Sequence, residues 1–444
     1  MPQRNGSAAA AYIAASAERV LPPEVADMAR LCLADWLGVA IGAGDEAAGR
    51  IVREVAAGWR SEGRSTVLFG GTAAAPFAAL ANGTLAHCLD FDDTYVRAIT
   101  HTSAPVWAAT LALGEELGAD EGAMLSAFVT GFETAARIGD GLGEPVSARG
   151  WHGTGVFGRL GAAAAASVLL HLDNERALYA LGAAATQTGG LTASFGTMAK
   201  PFHAGKAAMD GIVAAQLAAS GFTAATGLFE AGGGLDTALI QDRSVTFQPI
   251  DFIGWRILEN SFKPYAACHL THPAVDAARA LAPRVNPGAI ALVRAEIGAL
   301  AQQITGAKSG APAGPLEGKF DLKYCIALGL YGRSVSAADF REPWDPDPAI
   351  CAIAGKVDSI VSPEMRFASA RLSVELADGR QETVFIPVAK GHPGNPMTWD
   401  DMHAKFAALV SPELGARADT LFGLIRQFGQ GDVLGDIRAI LAAL

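Results

Sequence analysis

The amino-acid sequence predicts a mainly α-helical protein with a smaller α+β part, and three observations carry this prediction. Up to about residue 285, Ala- and Leu-rich stretches separated by Gly and Pro are typical of helices. Residues 291–297 then alternate like a strand, and residues 371–376 and 383–388 flank a Gly-containing turn, which predicts a β-hairpin. Residues 399–410 and 414–444 return to a helical composition, so we expect them to pack back on the first helical part.

Composition and the Pro and capping residues at their starts predict the individual helices. In the first part they span residues 26–41, 46–58, 73–89, 106–117, 121–138, 156–170, 174–188 and 201–212. Residues 65–68 are expected to be extended, and the Gly-rich residues 139–150 to form a loop. In the α+β part, residues 316–329 and 347–356 are predicted helices. Many of these helices carry small residues, so we expect their backbones to approach closely in a packed bundle.

The overall charge and the cysteines exclude several classes of protein. The net charge of -11 argues against nucleic acid and anionic membranes as partners, but it allows a small anionic substrate. Five scattered cysteines without a CxxC pair predict reduced thiols and argue against zinc-finger and simple iron–sulfur sites. No secretory signal and no run long enough to span a bilayer is recognised, so we expect a cytoplasmic protein.

The stretch from residue 195 to residue 211 concentrates positive charge in an otherwise acidic chain. Lys200, His203 and Lys206 lie within seven residues, and Pro201 directly follows Lys200. Proline is best tolerated in the first turn of a helix, so we expect Lys200 to end a loop and Pro201 to begin a helix. The free N–H groups at such a helix start, together with Lys200, favour an anion. His203 is expected to be structural and Lys206 to lie on the helix surface.

Three histidines repeat this placement at a predicted helix start. His101 lies before a Pro-started helix, His152 before a Thr-capped helix and His272 directly before Pro273. Each could join backbone N–H groups around an anion. Taken alone, each is equally open to the interpretation of a packed, hydrogen-bonded histidine without a catalytic role.

Several other polar residues also have two interpretations. The acidic turn of residues 90–93 is by default a solvated helix end, or a weak metal site that lacks enough further ligands. Thr94 is by default a cap or turn residue, and Tyr324 could belong to the core. Lys263 stands between aromatic residues and before a proline, a setting that raises the cost of an unpaired ammonium group.

Taken together, the motifs resemble those of the MmgE/PrpD family. This family includes 2-methylcitrate dehydratases, cis-aconitate decarboxylases and iminodisuccinate epimerases. The resemblance covers nearly the whole chain, with the motifs in the family's order. They are NGTLAHCLDFDDT (82–94), TH (100–101), GWHGTGVFG (150–158), FGTMAKPFHAGKAA (195–208), SFKPYAACHLTHPAVDA (261–277), KFDLKYCIALGL (319–330) and GHPGNPMTWDD (391–401).

The resemblance implies an architecture and an assembly. It implies a large all-helical domain built from both chain ends and a smaller α+β lid domain, with the active site in the cleft between them. We place these domains at residues 1–264 and 265–398, with residues 399–444 packing back on the helical domain. The resemblance also implies a homodimer, and an active site that needs neither a metal nor an organic cofactor.

The family's site residues carry over to matching positions of this chain. The resemblance implies that His101, His152, Lys200, Lys263 and Tyr324 are catalytic. It implies that Asp90 and Thr94 bind the substrate, and His272, at its helix start, is placed with them as a further substrate-binding residue.

The implied substrate is a small di- or tricarboxylate that reacts at a carbon next to a carboxylate. Lysines and helix N-termini would stabilise the negative charge that develops there, and His101, His152 and Tyr324 would move protons. The leading hypothesis is a dehydratase that resembles 2-methylcitrate dehydratase, with decarboxylation or epimerisation as alternatives. The form FGTMAKPFHAGKAA is closer to the decarboxylase and epimerase branches. A non-catalytic carboxylate-binding protein with the same fold is the remaining alternative.

Overall fold

The long helices predicted near both ends of the chain are present in the structure, a computed structural model that describes residues 5–232, 234–308 and 310–444. The chain forms two compact units, one made of the residues up to Ser261 together with Trp399–Leu444, the other of Phe262–Thr398. Both are mainly as predicted, helical in the first unit and α+β in the second. Among the described residues, no helix combines the length and the apolar character needed to cross a bilayer.

The first unit is built from helices and one short hairpin. Its helices are Asn5–Ala14, Pro23–Gly42, Ala47–Gly58, Ala75–Cys88, Ser103–Leu117, Glu121–Gly139, Gly143–Ala148, Gly153–Leu169, Asn174–Ala185, Ala199–Ala219, Leu235–Ile240, Trp399–Leu414, Arg417–Gln427 and Leu434–Leu441. The strands Ser65–Val67 and Gly71–Ala73 pair antiparallel. One expectation was wrong in detail, since residues 139–150 contain the short helix Gly143–Ala148. Residues 414–444 are helical as expected, in the two helices Arg417–Gln427 and Leu434–Leu441.

Helix Ala199–Ala219 lies at the centre of the first unit, packed against Ala75–Cys88 and Gly153–Leu169. Glycines make the close approach possible. A Cβ atom on Gly205 would lie 2.1 Å from the carbonyl oxygen of Leu80, and one on Gly83 would lie 2.9 Å from the Cα of Gly205. The small residues of the sequence therefore bring together the three helices whose ends carry the candidate site.

The second unit contains a four-stranded mixed sheet with the strand order Val357–Val361, Ile290–Ile297, Ala370–Leu376, Gln381–Ile386. The first pair is parallel and the other two are antiparallel, which confirms the predicted hairpin. Strand Val357–Val361 was not predicted. The α-helices of this unit are His272–Leu281, Ala299–Ala301, Pro315–Gly318, Leu322–Leu330 and Pro348–Ala354.

The prediction of a single helix at residues 316–329 is wrong, because the helix is interrupted and a second one begins after Asp321. The carboxylate of Asp321 accepts a hydrogen bond from the backbone N–H of Tyr324 at 3.1 Å and so caps a new helix, Leu322–Leu330. The preceding helix, Pro315–Gly318, is only one turn long.

Candidate active site

The acidic turn that follows helix Ala75–Cys88 is buried. Asp90, Asp92 and Asp93 are at most 4% exposed, so the default expectation of a solvated turn was wrong. Asp90 adopts a left-handed conformation, with φ of 52°, and so ends the helix in the manner of a C-terminal cap. Thr94 then pairs with Ser261 through two backbone hydrogen bonds of 2.8 and 3.0 Å. The pairing fixes the far end of the turn.

Lys200 forms a buried ion pair with Asp90. The Lys200 Nζ lies 2.6 Å from Asp90 Oδ1, and both side chains are less than a tenth exposed. Lys200 Nζ also lies 5.4 Å from the centre of the Phe195 ring. The helix begins at Ala199, so Lys200 lies within its first turn and does not end the preceding loop as expected. The prediction of a cation at a helix start holds, and the acidic turn supplies its partner.

His101 and His152 come close to each other because Gly153 and Thr154, which follow His152, contact the segment of residues 99–101. A Cβ atom on Gly153 would lie 2.4 Å from the carbonyl oxygen of Ile99, so only glycine allows this approach. The Thr154 hydroxyl accepts a hydrogen bond from the backbone N–H of His101 at 3.1 Å. His152 itself is the N-cap residue of helix Gly153–Leu169.

A third histidine, His87, completes a cluster with His101 and His152. The centre of the His87 ring lies 4.7 Å from that of the His101 ring and 5.5 Å from that of the His152 ring. The ring centres of His101 and His152 are 6.4 Å apart. One ring nitrogen from each residue lies within 4.8 Å of the other two, an arrangement that could hold a metal ion. His87 was not among the predicted site residues.

Each ring of this three-histidine cluster has a partner at Nδ1. The Nδ1 of His87 lies 2.8 Å from Asp92 Oδ2, and that of His101 lies 2.8 Å from the carbonyl oxygen of Asp93. The Thr94 hydroxyl is a more distant neighbour of His101 Nδ1, at 3.4 Å. A carboxylate and a carbonyl can only accept, so the Nδ1 atoms of His87 and His101 donate. In the neutral rings, Nε2 therefore carries a lone pair.

His152 is paired with His203, which was expected to be structural. Their Nδ1 atoms are 3.0 Å apart, so one of them donates to the other. Gly190, with φ of 108°, lies against both: a Cβ atom there would lie 3.2 Å from the His203 ring and 3.6 Å from the His152 Cβ. Glycine at residue 190 allows this close packing, but the glycine pair at residues 189–190 does not by itself indicate that the two histidines are partners.

Burial keeps several of these rings neutral. Desolvation, followed by the repulsion of His87, Lys200, His101 and His203, holds the pKa of His152 well below its usual range. Desolvation also lowers the pKa of His87, although Asp92 opposes this effect. It lowers the pKa of His203 from 6.5 to about 4. At neutral pH these three imidazoles are therefore neutral, and each keeps one unprotonated ring nitrogen; in the His152–His203 pair, the ring that donates its Nδ1–H has the lone pair on Nε2.

Five of the eight predicted site residues thus come together in the first unit: Asp90, Thr94, His101, His152 and Lys200. A buried cation at a helix start can hold a carboxylate, and neutral imidazoles next to it can accept or return a proton. This combination suits proton transfer at a carbon that carries a carboxylate.

The other three predicted residues, Lys263, His272 and Tyr324, belong to the second unit and are all buried. The Nε2 of His272 lies 3.1 Å from the carbonyl oxygen of Ala267, so it donates to that carbonyl. The Tyr324 ring lies 5.7 Å from that of Trp344, and desolvation raises the pKa of Tyr324 to about 12. Tyr324 is therefore a phenol at neutral pH, which can donate or accept a hydrogen bond or act as an acid but does not act as a phenolate base.

Comparison with known proteins identifies the family. The family model of the MmgE/PrpD N-terminal domain matches residues 7–248, and that of the MmgE/PrpD C-terminal domain matches residues 265–425. Similar curated proteins are the cis-aconitate decarboxylases of Homo sapiens, Mus musculus and Aspergillus terreus. The human protein is 28% identical over 79% of this chain and 75% of its own length. The mouse protein is 28% identical over 76% and 72%, and the Aspergillus terreus protein 27% identical over 69% and 69%. The two domain matches cover most of the chain, which therefore belongs to the MmgE/PrpD family.

Proposed function

We propose that the protein is a lyase that acts on a small di- or tricarboxylate, and that its leading reaction is the decarboxylation of cis-aconitate or a similar unsaturated acid. One observation of the structure carries the proposal: the buried Lys200–Asp90 ion pair lies close enough to the neutral imidazoles of His87 and His152 for the Lys200 charge to lower the pKa of both. The relatives named cis-aconitate decarboxylases favour decarboxylation over the dehydration that the sequence favoured.

Lys200 would bind a carboxylate of the substrate at the start of helix Ala199–Ala219. The ammonium group and the free N–H groups of the first turn both favour an anion there. Asp90 holds the ammonium group in place before the substrate arrives. Such a preorganised cation stabilises the negative charge that spreads onto a carboxylate as the adjacent carbon reacts.

His101 and His152 would move the proton. In a decarboxylation, the C–C bond to the departing carboxylate breaks, and its electron pair spreads over the neighbouring C=C bond. One proton is then added to carbon, and carbon dioxide leaves. The bound carboxylates raise the pKa of the adjacent imidazoles, opposing the effect of burial, so that one imidazole can carry the proton that is delivered.

Dehydration is the second candidate, and the tautomer of His101 in the protein without substrate favours it. His101 presents Nε2 as a base because its Nδ1 donates to the carbonyl of Asp93. A base next to a bound carboxylate suits removal of a proton from the adjacent carbon, after which a hydroxyl group leaves. Lys263 and Tyr324 of the second unit are proposed as a further cation and a further acid, and His272 as a substrate-binding residue. The homodimer, the cytoplasmic location and a site without an organic cofactor stay predictions.

A panel of acids tests this proposal. The purified protein, treated with EDTA, is incubated in deuterated water with cis-aconitate, citrate, 2-methylcitrate and iminodisuccinate, and products are followed by NMR. Decarboxylation releases carbon dioxide, dehydration forms an alkene from a hydroxy acid, and epimerisation exchanges a proton without loss of a group. Binding of one of these acids without turnover, unchanged in His101→Ala, would establish the non-catalytic alternative instead.

A further inference from the structure

The three-histidine cluster has an outer shell of the kind that supports metal ligands. Histidines that bind a metal commonly donate their other ring N–H to a carboxylate or a backbone carbonyl, which fixes the tautomer. Here Asp92 accepts from His87, and the Asp93 carbonyl accepts from His101, both at 2.8 Å. In both neutral rings the lone pair is therefore on Nε2, on the side of the ring opposite to these acceptors.

Two buried nitrogens of the cluster have no hydrogen-bond partner. They are the Nε2 atoms of His87 and His152, in side chains of residues that are 1% and 3% exposed. Buried polar atoms in native proteins are nearly always hydrogen-bonded, and an unsatisfied one costs about 1–3 kcal/mol. Two such atoms in one cluster indicate a place for a polar partner, and a metal ion is one partner that could bind to both nitrogens at once.

His203 supplies the corresponding outer-shell contact for His152. Their Nδ1 atoms are 3.0 Å apart. If His203 carries its own proton on Nε2, its Nδ1 accepts from His152, and the Nε2 of His152 is a lone pair like those of the other two rings. A cation at the cluster stabilises this tautomer over the reverse one.

The dimensions and charge of the cluster suit a single divalent ion. Nitrogen ligands about 2.05 Å from a tetrahedral zinc ion lie roughly 3.3 Å from one another. The nitrogens of the cluster lie within 4.8 Å, so each pair has to close by at most about 1.5 Å. The nearby charge of Lys200 is balanced by Asp90 at 2.6 Å, and Asp92 adds a negative charge next to His87.

We propose that His87, His101 and His152 form a binding site for one divalent transition-metal ion such as Zn²⁺, and that the bound ion inhibits the enzyme. Imidazole ligands favour zinc, cobalt, nickel and copper over magnesium and calcium, and three protein ligands leave a fourth position open. Inhibition rests on the proposed function, because the ion occupies lone pairs that His101 and His152 need for proton transfer. The metal-free enzyme is then the active form.

Cobalt titration tests the site without reference to activity. The whole protein, stripped with EDTA and dialysed, is titrated with Co²⁺, whose visible absorption is intense when it is four-coordinate. We expect one Co²⁺ per chain, displaced by Zn²⁺. His87→Gln, whose amide can still donate to Asp92, should bind at least about 100-fold more weakly. The control is His403→Gln, which changes a half-exposed histidine that pairs with Asp419. It should bind Co²⁺ like the wild type.

Equal Co²⁺ affinity in the wild type and in His87→Gln would overturn the site, and so would the absence of a four-coordinate spectrum in the wild type. If melting curves show that His87→Gln does not fold, His152→Gln takes its place under the same criteria. A lyase assay with and without Zn²⁺ then separates the two proposals. His87-dependent Co²⁺ binding without turnover of any acid upholds the metal site and contradicts the proposed function. Turnover without metal binding does the reverse.

Discussion

Replacing Lys200 by methionine should destabilise the protein strongly, because it leaves Asp90 buried without its cation. At 2.6 Å and an effective dielectric constant near 20, the attraction between the two charges is about 6 kcal/mol. Desolvation of both ions offsets much of this attraction when the pair is intact. Removing one partner leaves that offset uncompensated, so Lys200→Met should lower the free energy of unfolding by about 3–5 kcal/mol.

Calorimetry on a double-mutant cycle measures this effect. With about 2.1 cal/mol/K of unfolding entropy per residue over 444 residues, Lys200→Met should lower the melting temperature by about 3–5 °C. Asp90→Asn keeps a residue that tolerates the left-handed backbone, and as a single variant it leaves the ammonium group buried without its carboxylate. The double variant removes both charges and should be clearly more stable than the sum of the two single losses predicts. All three variants should lack lyase activity, since each disrupts the proposed carboxylate site.

A matched control separates lost stability from lost catalysis. Arg137 forms another buried ion pair, with Glu133 at 2.9 Å, and its other hydrogen bonds run to the segment of residues 251–254. Arg137→Met should destabilise the protein to a similar degree but keep the wild-type kcat below its melting temperature. If Lys200→Met cost less than about 1 kcal/mol, the pair would behave like an exposed one, and the buried site would be refuted.

Three further predictions concern proton transfer and pH. His152→Gln and His101→Gln should each lower kcat by about 10²–10⁴-fold in steady-state assays of the reaction found in the acid panel, whereas an unchanged kcat would remove that residue from the mechanism. The pKa of His203 falls from 6.5 to about 4 on folding, so the unfolded chain binds more protons between these values. The free energy of unfolding of the wild type, measured in urea, should therefore fall as the pH falls through this window, and that of His203→Gln should fall less steeply. Parallel curves of unfolding free energy against pH would contradict the lowered pKa of His203. Burial raises the pKa of Asp93 from 3.8 to about 7, so here the native state binds more protons and stability should fall as the pH rises from about 4 to 7. Asp93→Asn, which cannot ionise, should gain stability relative to the wild type over that range, and a constant difference would show that Asp93 does not titrate there.

The sequence predicted the helical elements well because their signals are local. Ala-rich stretches, Pro at helix starts and a turn containing Gly379 specify helices and a hairpin without long-range information. The errors arose where a single capping residue or a long-range strand pairing decides the secondary structure. Asp321 caps a new helix inside an apolar run, and strand Val357–Val361 is specified by its pairing with Ile290–Ile297 rather than by its own pattern. The domain boundaries at residues 264 and 398 stay predictions.

The candidate site was predictable in part, because positions at helix starts are visible in the sequence. Lys200 and His152 were recognised in this way. His87 was missed because it lies in the last turn of an Ala-rich helix and precedes no predicted helix start, so nothing distinguished it from a packed histidine. The partnership of His203 with His152 depends on two helices packed across a glycine, and no spacing in the sequence reveals it. The burial of the acidic turn was equally invisible, since charged turns are usually solvated.

The most direct test of the proposed chemistry is the position of solvent deuterium in the product. The EDTA-treated enzyme and its His152→Gln variant are given cis-aconitate in deuterated water, and carbon dioxide release and ¹H NMR are followed together. The account predicts one deuterium at a single carbon of the product for each carbon dioxide released by the wild type, and little turnover by the folded variant. Wild-type rates in His152→Gln, or a folded wild-type protein that turns over none of the acids in the panel, would contradict the account.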